Sequence, residues 1–485
     1  MLLKDLIQDI YSGPLAERHQ SIDILSVHCD SRRVQEGGLF VALKGTKTNG
    51  AQYVLQALER GAACIVKGPD PAGDFPKTGA CLLEVDDPKD FLRAIALRFY
   101  RDPASDVQCI GITGTNGKTT TTYLIESILR SAQRPCGVIG TINCRFGFNI
   151  IPIKNTTPHL IDILEYLSQM RSEGFGYCAM EVSSHALDQG RVDGIPFKAG
   201  VFTNLTQDHL DYHKDMEDYF LAKAKLFTTL PSTSAAILNI DDPCGERLAQ
   251  MTPARVLRYG IKGKADVSAS GIKLGFEKTN FVLALRGDEC AIQTRLIGMH
   301  NIYNILAAAG ACHALGIDIT SIREGIEEMS SVPGRLEAVD CGQKFSVFVD
   351  YAHTDDALKN VLENIRAVKP ARIILVFGCG GDRDKGKRPK MGKVAAALAD
   401  FAIITSDNPR SENPEDIVSA IAEGFDRNNY EIILDRRAAI ARALAMAGKG
   451  DVVILAGKGH ENYQILKDEV VAFDDRDVVR EILSC

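Results

Sequence analysis

Residues 109–129, CIGITGTNGKTTTTYLIESIL, run from an apolar segment through a Gly-rich turn into a Thr-rich amphipathic stretch. A phosphate cradle needs that order. Glycines let backbone N–H groups approach phosphate oxygens, and a following helix turns its partial positive charge toward them. Lys118 can reach outer phosphates and the Thr119 hydroxyl can hold magnesium. The candidate phosphate-binding residues are therefore Gly114, Thr115, Asn116, Gly117, Lys118, Thr119 and Thr120. The common pattern G-x-x-x-x-G-K-[ST] would put its first glycine at position 112, which is Ile112. Gly114 comes two places later, so this is a shortened variant. A second hard oxygen donor, Glu181, follows the apolar run YCAM, at a strand end where α/β sites open. The loop by itself leaves open whether a phosphoryl group is transferred, hydrolysed or used to activate an acid.

The elements that must carry these residues read as repeated strand and helix. With 485 residues, 45% of them hydrophobic, the chain is too long for one core, and two or three domains are expected. The first hundred residues read as a small α/β unit with short apolar runs, GLFVAL (38–43) and ACIV (63–66). RDPASDVQC (101–109) reads as a linker. From there to about 333, strands and helices alternate, which predicts a mostly parallel sheet with helices on both faces. The SVPGR turn at 331–335 marks a second boundary, after which FSVFVD, ARIILVFG, FAIITS, EIILD and DVVILAG restart the alternation. The expected units are 1–105, 106–333 and 334–485: an N-terminal α/β domain, a central phosphate-loop domain with a mostly parallel sheet, and a C-terminal Rossmann-like α/β domain.

Fifty-six basic and 63 acidic side chains leave a net charge of −7, which argues against a chain that coats itself in nucleic acid or anionic lipid. Thirteen cysteines, an odd number with no C-x-x-C, spell out neither a disulfide framework nor a zinc site. Asp5 and Asp9 interrupt what a secretory signal would need, and no uncharged apolar run approaches the ~18 residues of a membrane span. A soluble protein of the reducing cytoplasm, without membrane insertion, is expected.

GITGTNGKTTT, MEVSSHALDQGRV (180–192), FTNLTQDHLDYH (202–213), AKAKLF (222–227), GMHNIYN (298–304), PGRLE (333–337) and DYAHT (350–354) occur in this order along nearly the whole chain. Together they resemble the Mur ligase superfamily, ATP-dependent amide-forming enzymes of peptidoglycan precursor synthesis. DSRRVQEGGLFVAL, GCGGDRDKGKRP (378–389), DNPR (407–410) and GKGHE (457–461) resemble the branch that adds the third residue of the peptide. The resemblance implies that UDP-N-acetylmuramoyl-L-alanyl-D-glutamate takes a phosphoryl group from ATP on its free carboxylate. The amine of meso-diaminopimelate then displaces the phosphate. A monomer using Mg²⁺, two ions in all, is implied.

Residue by residue, the resemblance gives Lys118 to the β- and γ-phosphates, Thr119 and Glu181 to one Mg²⁺, and His209 to a second. Lys223 corresponds to a lysine carboxylated by CO₂ to a carbamate (N6-carboxylysine) that supports the second ion, with Lys225 a close competitor in the alignment. Asn301, Asn304, Arg335, Asp350 and His353 match nucleotide contacts, although helix capping is another use for the two asparagines. The UDP end falls to Cys29, Ser31, Thr46, Lys47 and Thr48. The muramoyl dipeptide falls to Asn155, Thr156, Thr157, Ser183, Gln189 and Arg191. For the amino acid, Arg410 has the fork that fits a carboxylate, Pro409 stiffens the turn, and Asp407 and Asn408 suit the distal ammonium and carboxylate. Arg383, Gly457 and Glu461 complete that set. Diaminopimelate is favoured over L-lysine because lysine lacks the distal carboxylate that Arg410 would pair. A folylpolyglutamate synthetase shares the loop but has no use for the DSRR and DNPR segments. A nucleotide-dependent switch has no use for Lys223 beside His209 and Glu181.

Overall fold

The computed structural model describes residues 1–45, 49–69, 79–467 and 469–484. Four parallel strands come first, in the order Ser26–His28, Gly38–Val41, Ala62–Lys67 and Cys81–Glu84. An eleven-stranded sheet follows, with Gln108–Thr113 between Phe197–Phe202 and Tyr177–Glu181, all three parallel. Ala235–Asn239 and Arg255–Gly260 extend one side in the same direction.

Alternation along these strands builds two cores. Cys109, Cys178, Met180 and Phe202 face the helices Leu160–Ser172 and Met216–Thr228 and share a continuous core with the N-terminal unit. Ile110, Ile112, Ala179 and Val201 face the helices Lys118–Ser131, Met299–Ala314 and Ile319–Glu328. Both faces are thus covered, which is why the central strands read as unbroken apolar runs.

The expected strand and helix alternation fails over 267–294. There Val267–Lys273, Thr279–Leu285 and Asp288–Thr294 form antiparallel pairs, the last two joined across Arg286 and Gly287, both at positive φ. TNFVLAL alternates buried and half-buried positions, the period of a one-sided strand. A second antiparallel extension, Cys144–Phe146 with Asn149–Ile151, closes the other edge. The 101–109 segment is packed rather than a free linker. Pro103 and Ala104 are buried, and Arg171 donates to the carbonyls of Tyr100 and Arg101.

The third sheet orders Glu337–Ala338, Ser346–Asp350, Val452–Ala456, Ile373–Phe377, Phe401–Ile404 and Tyr430–Ile432, parallel except for the first. A hairpin, Tyr463–Leu466 with Glu469–Ala472, stands apart from it.

Candidate active site

The side chains singled out in the sequence gather at the carboxyl ends of the parallel strands, where loops can converge on a ligand. After Gln108–Thr113 the chain turns through Gly114 (φ +148°) and Gly117 (φ +88°), conformations that a side chain would strain. A Cβ on Gly114 would lie 1.9 Å from the Thr203 hydroxyl, and one on Gly117 would lie 2.3 Å from Asn304 Oδ1, so the loop is also sterically closed to larger residues. The helix Lys118–Ser131 starts without a side-chain cap, leaving its N-terminal N–H groups for another acceptor. Asn204 holds the loop from outside. Its carbonyl accepts from Thr115 N at 2.9 Å and its Oδ1 from Asn116 N at 2.9 Å. Lys118 Nζ donates back to the carbonyls of Gly114 and Thr115, at 2.8 and 2.9 Å. Burial lowers its pKa, opposed by the Glu181 carboxylate. Thr120 is buried beside Thr119 in the first turn of the helix.

Glu181 ends its strand 1% exposed. Thr141, a residue that no motif marked, donates to it twice, N to Oε1 at 2.8 Å and Oγ1 to Oε2 at 3.0 Å. A Cβ on Gly140 would meet Oε1 at 2.4 Å, so that glycine makes room for the carboxylate. Thr119 Oγ1 and the Glu181 carboxylate are hard oxygens that suit Mg²⁺. Among the described residues no cluster of three or more His, Cys, Asp or Glu could hold a metal. The donor set thus fits an ion that keeps water and phosphate ligands rather than an all-protein cage.

The helix Met216–Thr228 separates the two competing lysines. Two residues apart, they point to opposite sides. Lys225 is half exposed and pairs with Asp188 at 2.8 Å. Lys223 is 2% exposed, with Nζ 4.2 Å from the centre of the Tyr219 ring. Burial, reinforced by the Lys118 ammonium and opposed by Asp208, pushes its pKa well below the ordinary lysine range. His209 stands near by in a left-handed backbone (φ +54°), its ring 4.8 Å from that of His185 and 6.0 Å from that of Tyr219. Burial lowers its pKa, against the pull of Asp208.

Asn301 and Asn304 are buried inside the helix Met299–Ala314, whose N-cap is Gly298, so neither is a cap. Asn301 Nδ2 donates to Ile297 O at 2.8 Å and Asn304 Nδ2 to Asn301 Oδ1 at 3.0 Å. Arg335 donates to Thr119 Oγ1 at 3.2 Å, and its Nε is buried without a partner. Asp350 accepts from the N–H groups of Leu336 and Ala352, at 2.7 and 2.8 Å. The His353 and Tyr351 rings lie 4.7 Å apart, and the Tyr351 and His460 rings 5.0 Å apart. Asp356, which the sequence reading missed, accepts from Asn116 Nδ2 at 3.3 Å and Thr206 Oγ1 at 2.9 Å, tying the third sheet's first helix to the phosphate loop.

A cleft of about 1390 Å³ opens between the first and second sheets, lined by Cys29, Ser31, Gln56, Asn155, Gln189 and Arg191, among others. Ser31 Oγ donates to Gln56 Oε1 at 2.6 Å. Burial pushes the Cys29 thiol up to about 11, so it stays protonated at neutral pH. Arg191 is oriented by Gln189 Oε1 (2.6 and 2.9 Å) and the carbonyl of Thr157 (2.9 Å), and Thr157 Oγ1 lies 3.3 Å from Ser183 Oγ. Thr156 Oγ1 is 3.1 Å from Thr141 Oγ1, which links this group to Glu181. Thr46, Lys47 and Thr48 lie outside the described residues.

The third cluster sits at the ends of Phe401–Ile404 and Val452–Ala456. Asp407, Asn408 and Pro409 are buried, and Arg410 (φ +52°) donates to Gly381 O at 2.7 Å. A Cβ on Gly380 would lie 2.8 Å from Arg410 NH1 and 3.9 Å from Arg383 Cγ, so both arginines flank one small residue. Gly457 (φ +111°) leaves room for Asp407 Oδ2, while Asp407 Oδ1 is buried without a hydrogen-bond partner. Asn408 Nδ2 donates to Glu461 Oε2 at 2.8 Å. Burial raises the pKa of Glu461, opposed by Lys458. No helix among the described residues is long and apolar enough to cross a membrane.

Three family descriptions match in order: "Mur ligase family, catalytic domain" over residues 23–100, "Mur ligase middle domain" over 112–312, and "Mur ligase, glutamate ligase domain" over 334–459. The chain is 44% identical over 485 residues to a UDP-N-acetylmuramoyl-L-alanyl-D-glutamate--2,6-diaminopimelate ligase of Caldanaerobacter subterraneus subsp. tengcongensis, covering 100% of this chain and 98% of the relative. A solved structure of a ligase of that name superposes with a TM-score of 0.70 at 31% identity, covering 100% of this chain and 99% of the other. A Mycobacterium tuberculosis folylpolyglutamate synthase superposes at 0.62 with 17% identity, covering 80% and 94%, a likeness of fold alone. Matched across all three sheets and along its whole length to such a relative, the chain belongs to the Mur ligase family.

Proposed function

We propose that this protein joins meso-2,6-diaminopimelate to the D-glutamate carboxylate of UDP-N-acetylmuramoyl-L-alanyl-D-glutamate, converting ATP to ADP and phosphate, as a step in peptidoglycan precursor synthesis. Residues 1–105, 106–333 and 334–485 act as three domains, each presenting one substrate. The substrate carboxylate attacks the γ-phosphorus and ADP leaves. The amine then attacks the acyl carbon, phosphate leaves, and the nitrogen sheds its proton.

The chain's task is to hold two polyanions and a zwitterion in line. Catalysis therefore rests on fixed cations and position, with no protein nucleophile. Lys118 exchanges the carbonyls of Gly114 and Thr115 for phosphate oxygens, where its charge offsets that gathering on the leaving ADP. Asn301 and Asn304 hold the loop's far wall against Gly117, and Arg335, Asp350 and His353 bring the third domain onto the nucleotide. Arg191, aimed by Gln189, pairs a carboxylate of the muramoyl dipeptide, beside Asn155, Thr156, Thr157 and Ser183. Cys29 and Ser31, with 46–48, take the UDP end.

Thr119 and Glu181 would hold one Mg²⁺, and His209 with Lys223 a second. When bound, the ions neutralise phosphate charge. Lys223 suits a carbamate because burial favours its uncharged amine, and only the free amine adds CO₂, releasing a proton. The resulting anion would attract the Lys118 ammonium, where a charged Lys223 would repel it.

The observation that carries the choice of amino acid is Asp407 Oδ1, a buried carboxylate oxygen that accepts no hydrogen bond and has the Lys458 ammonium 3.8 Å away, in the same loop as the Arg410 guanidinium. An ammonium at one and a carboxylate at the other describes the distal end of diaminopimelate. Supplying purified protein with ATP, Mg²⁺, the UDP-muramoyl dipeptide and, in turn, diaminopimelate, L-lysine or L-glutamate tests the assignment. A new amide by mass with diaminopimelate alone is expected. Preference for lysine or glutamate would overturn it.

A further inference from the structure

Behind the amino-acid loop lies a cation that the reaction outlined above does not use. Lys458 is fully buried, its side chain 0% exposed. Its Nζ sits 3.4 Å from Asn408 Oδ1, 3.4 Å from Glu461 Oε2 and 3.8 Å from Asp407 Oδ1. The ammonium thus bonds two acceptors and stands in ion-pair range of a third, and each belongs to a residue assigned to the incoming amino acid. We propose that Lys458 is a positioning residue that sets the geometry and charge of the distal amino-acid pocket through Asp407, Asn408 and Glu461. The inference rests on the assignment of that pocket to the amino acid.

Two lines of argument converge on this role. The first is orientation. Asn408 Oδ1 receives both Lys458 Nζ and the N–H of Ile465, the latter at 2.9 Å. Two donors on one side fix the amide so that Nδ2 points to Glu461, with its second N–H free to serve a substrate carboxylate. The second is charge. Asp407 and Glu461 carry two negative charges, and Lys458 cancels one. The remaining single negative charge matches one substrate ammonium. Without Lys458 the two carboxyl groups would repel, and the pKa of Glu461, which burial already raises, would rise further and weaken its pull on a substrate ammonium. Behind Lys458, Arg436 pairs with Asp475 at 2.7 and 2.8 Å, both side chains fully buried; its charge reaches Asp407 and Glu461, but among the described residues only Lys458 pairs with them within 4 Å.

The test uses the full chain with Lys458→Met, Lys458→Gln and Lys458→Arg, all three KM values and the pH profile of kcat/KM for the amine. Expected for the Met and Gln variants is a rise of about 10- to 100-fold in KM for diaminopimelate, the size typical of partners that orient a ligating group. KM for ATP and for the UDP-muramoyl dipeptide should stay unchanged, and Lys458→Arg should recover part of the loss. The acid limb of the amine profile should move to higher pH, since Glu461 then faces Asp407, Asn408, Tyr351 and Tyr463 with only the Asp475-paired Arg436 as an opposing charge. An unchanged KM for the amine overturns the proposal. So does an equal fall in all parameters with a lowered Tm, which would mark a purely structural lysine. Wild-type protein that takes a different amine overturns the pocket assignment instead, and the variants are then read with that amine.

Discussion

Replacing Arg410 by Ala gives the sharpest test of amino-acid choice, because the two candidate substrates differ by the one group this residue would bind. Diaminopimelate carries a distal carboxylate and L-lysine does not. Arg410 is partly exposed, so its pairing falls below the full value of a deeply buried ion pair, and about 2–4 kcal/mol is expected. At 1.4 kcal/mol per decade, kcat/KM for diaminopimelate should fall about 30- to 700-fold. For lysine the same variant should change by less than about threefold, because no carboxylate is left unpaired. The ratio of the two losses is the measured quantity, and it cancels any general damage to the fold. Such damage should be small. Alanine inherits the same left-handed backbone (φ +52°), and Arg410 N keeps its bond to the carbonyl of Ile465. Only the bond to Gly381 O is lost, about 1 kcal/mol or a few degrees of Tm. Progress curves with each amine under saturating ATP and dipeptide supply the numbers. Equal losses for both amines would refute the pairing.

Lys223→Ala should lower kcat by about 100-fold or more, the cost of removing one fixed charge from a phosphoryl-transfer site, and added short carboxylic acids should restore part of it. Full activity in that variant would rule out the carbamate. Asp475→Asn leaves the fully buried Arg436 without its counter-charge and should destabilise the protein by about 3–5 kcal/mol in urea unfolding, whereas a surface pair such as Lys359–Glu363 should contribute under 1. His460 is held down to about 4 by burial and by Arg335 and Arg476. The unfolded chain, near pH 6.5, binds the proton more readily, so stability should be complete above about 6.5 and decline as pH falls toward 4. His460→Gln should flatten that slope in urea midpoints taken across the window.

Legibility in the sequence followed the range of the interactions. The phosphate loop was readable because strand, turn and helix are contiguous and because positive φ at Gly114 and Gly117 leaves few substitutes. Lys223 was harder, since spacing alone could not tell it from Lys225, and only the fold shows one buried and the other half exposed. Thr141 carried no local signal. It matters through two bonds to a carboxylate 40 residues away, which only sheet pairing brings near. Lys458 stood inside the GKGHE motif, yet its role depends on a loop 50 residues earlier. The antiparallel strands at 267–294 were missed for a different reason. Their two-residue alternation was present in TNFVLAL, but the expectation of strand and helix in turn outweighed it.

The same geometry explains why a phosphate loop in this family needs its third domain. Lys118 is satisfied by two carbonyls of its own loop, Thr119 Oγ1 is taken by Arg335, and Asn116 is taken by Asp356. A phosphate that draws on Lys118 and accepts from the Thr119 hydroxyl attracts the Arg335 guanidinium, which donates to the same oxygen, and repels Asp356. Arg335 and Asp356 are both carried by the C-terminal unit, one at its boundary turn and one on its first helix. Binding charge at the loop exchanges one set of contacts across that joint for another. On the proposed assignment, nucleotide occupancy would bias that joint and with it the placement of the amino-acid pocket.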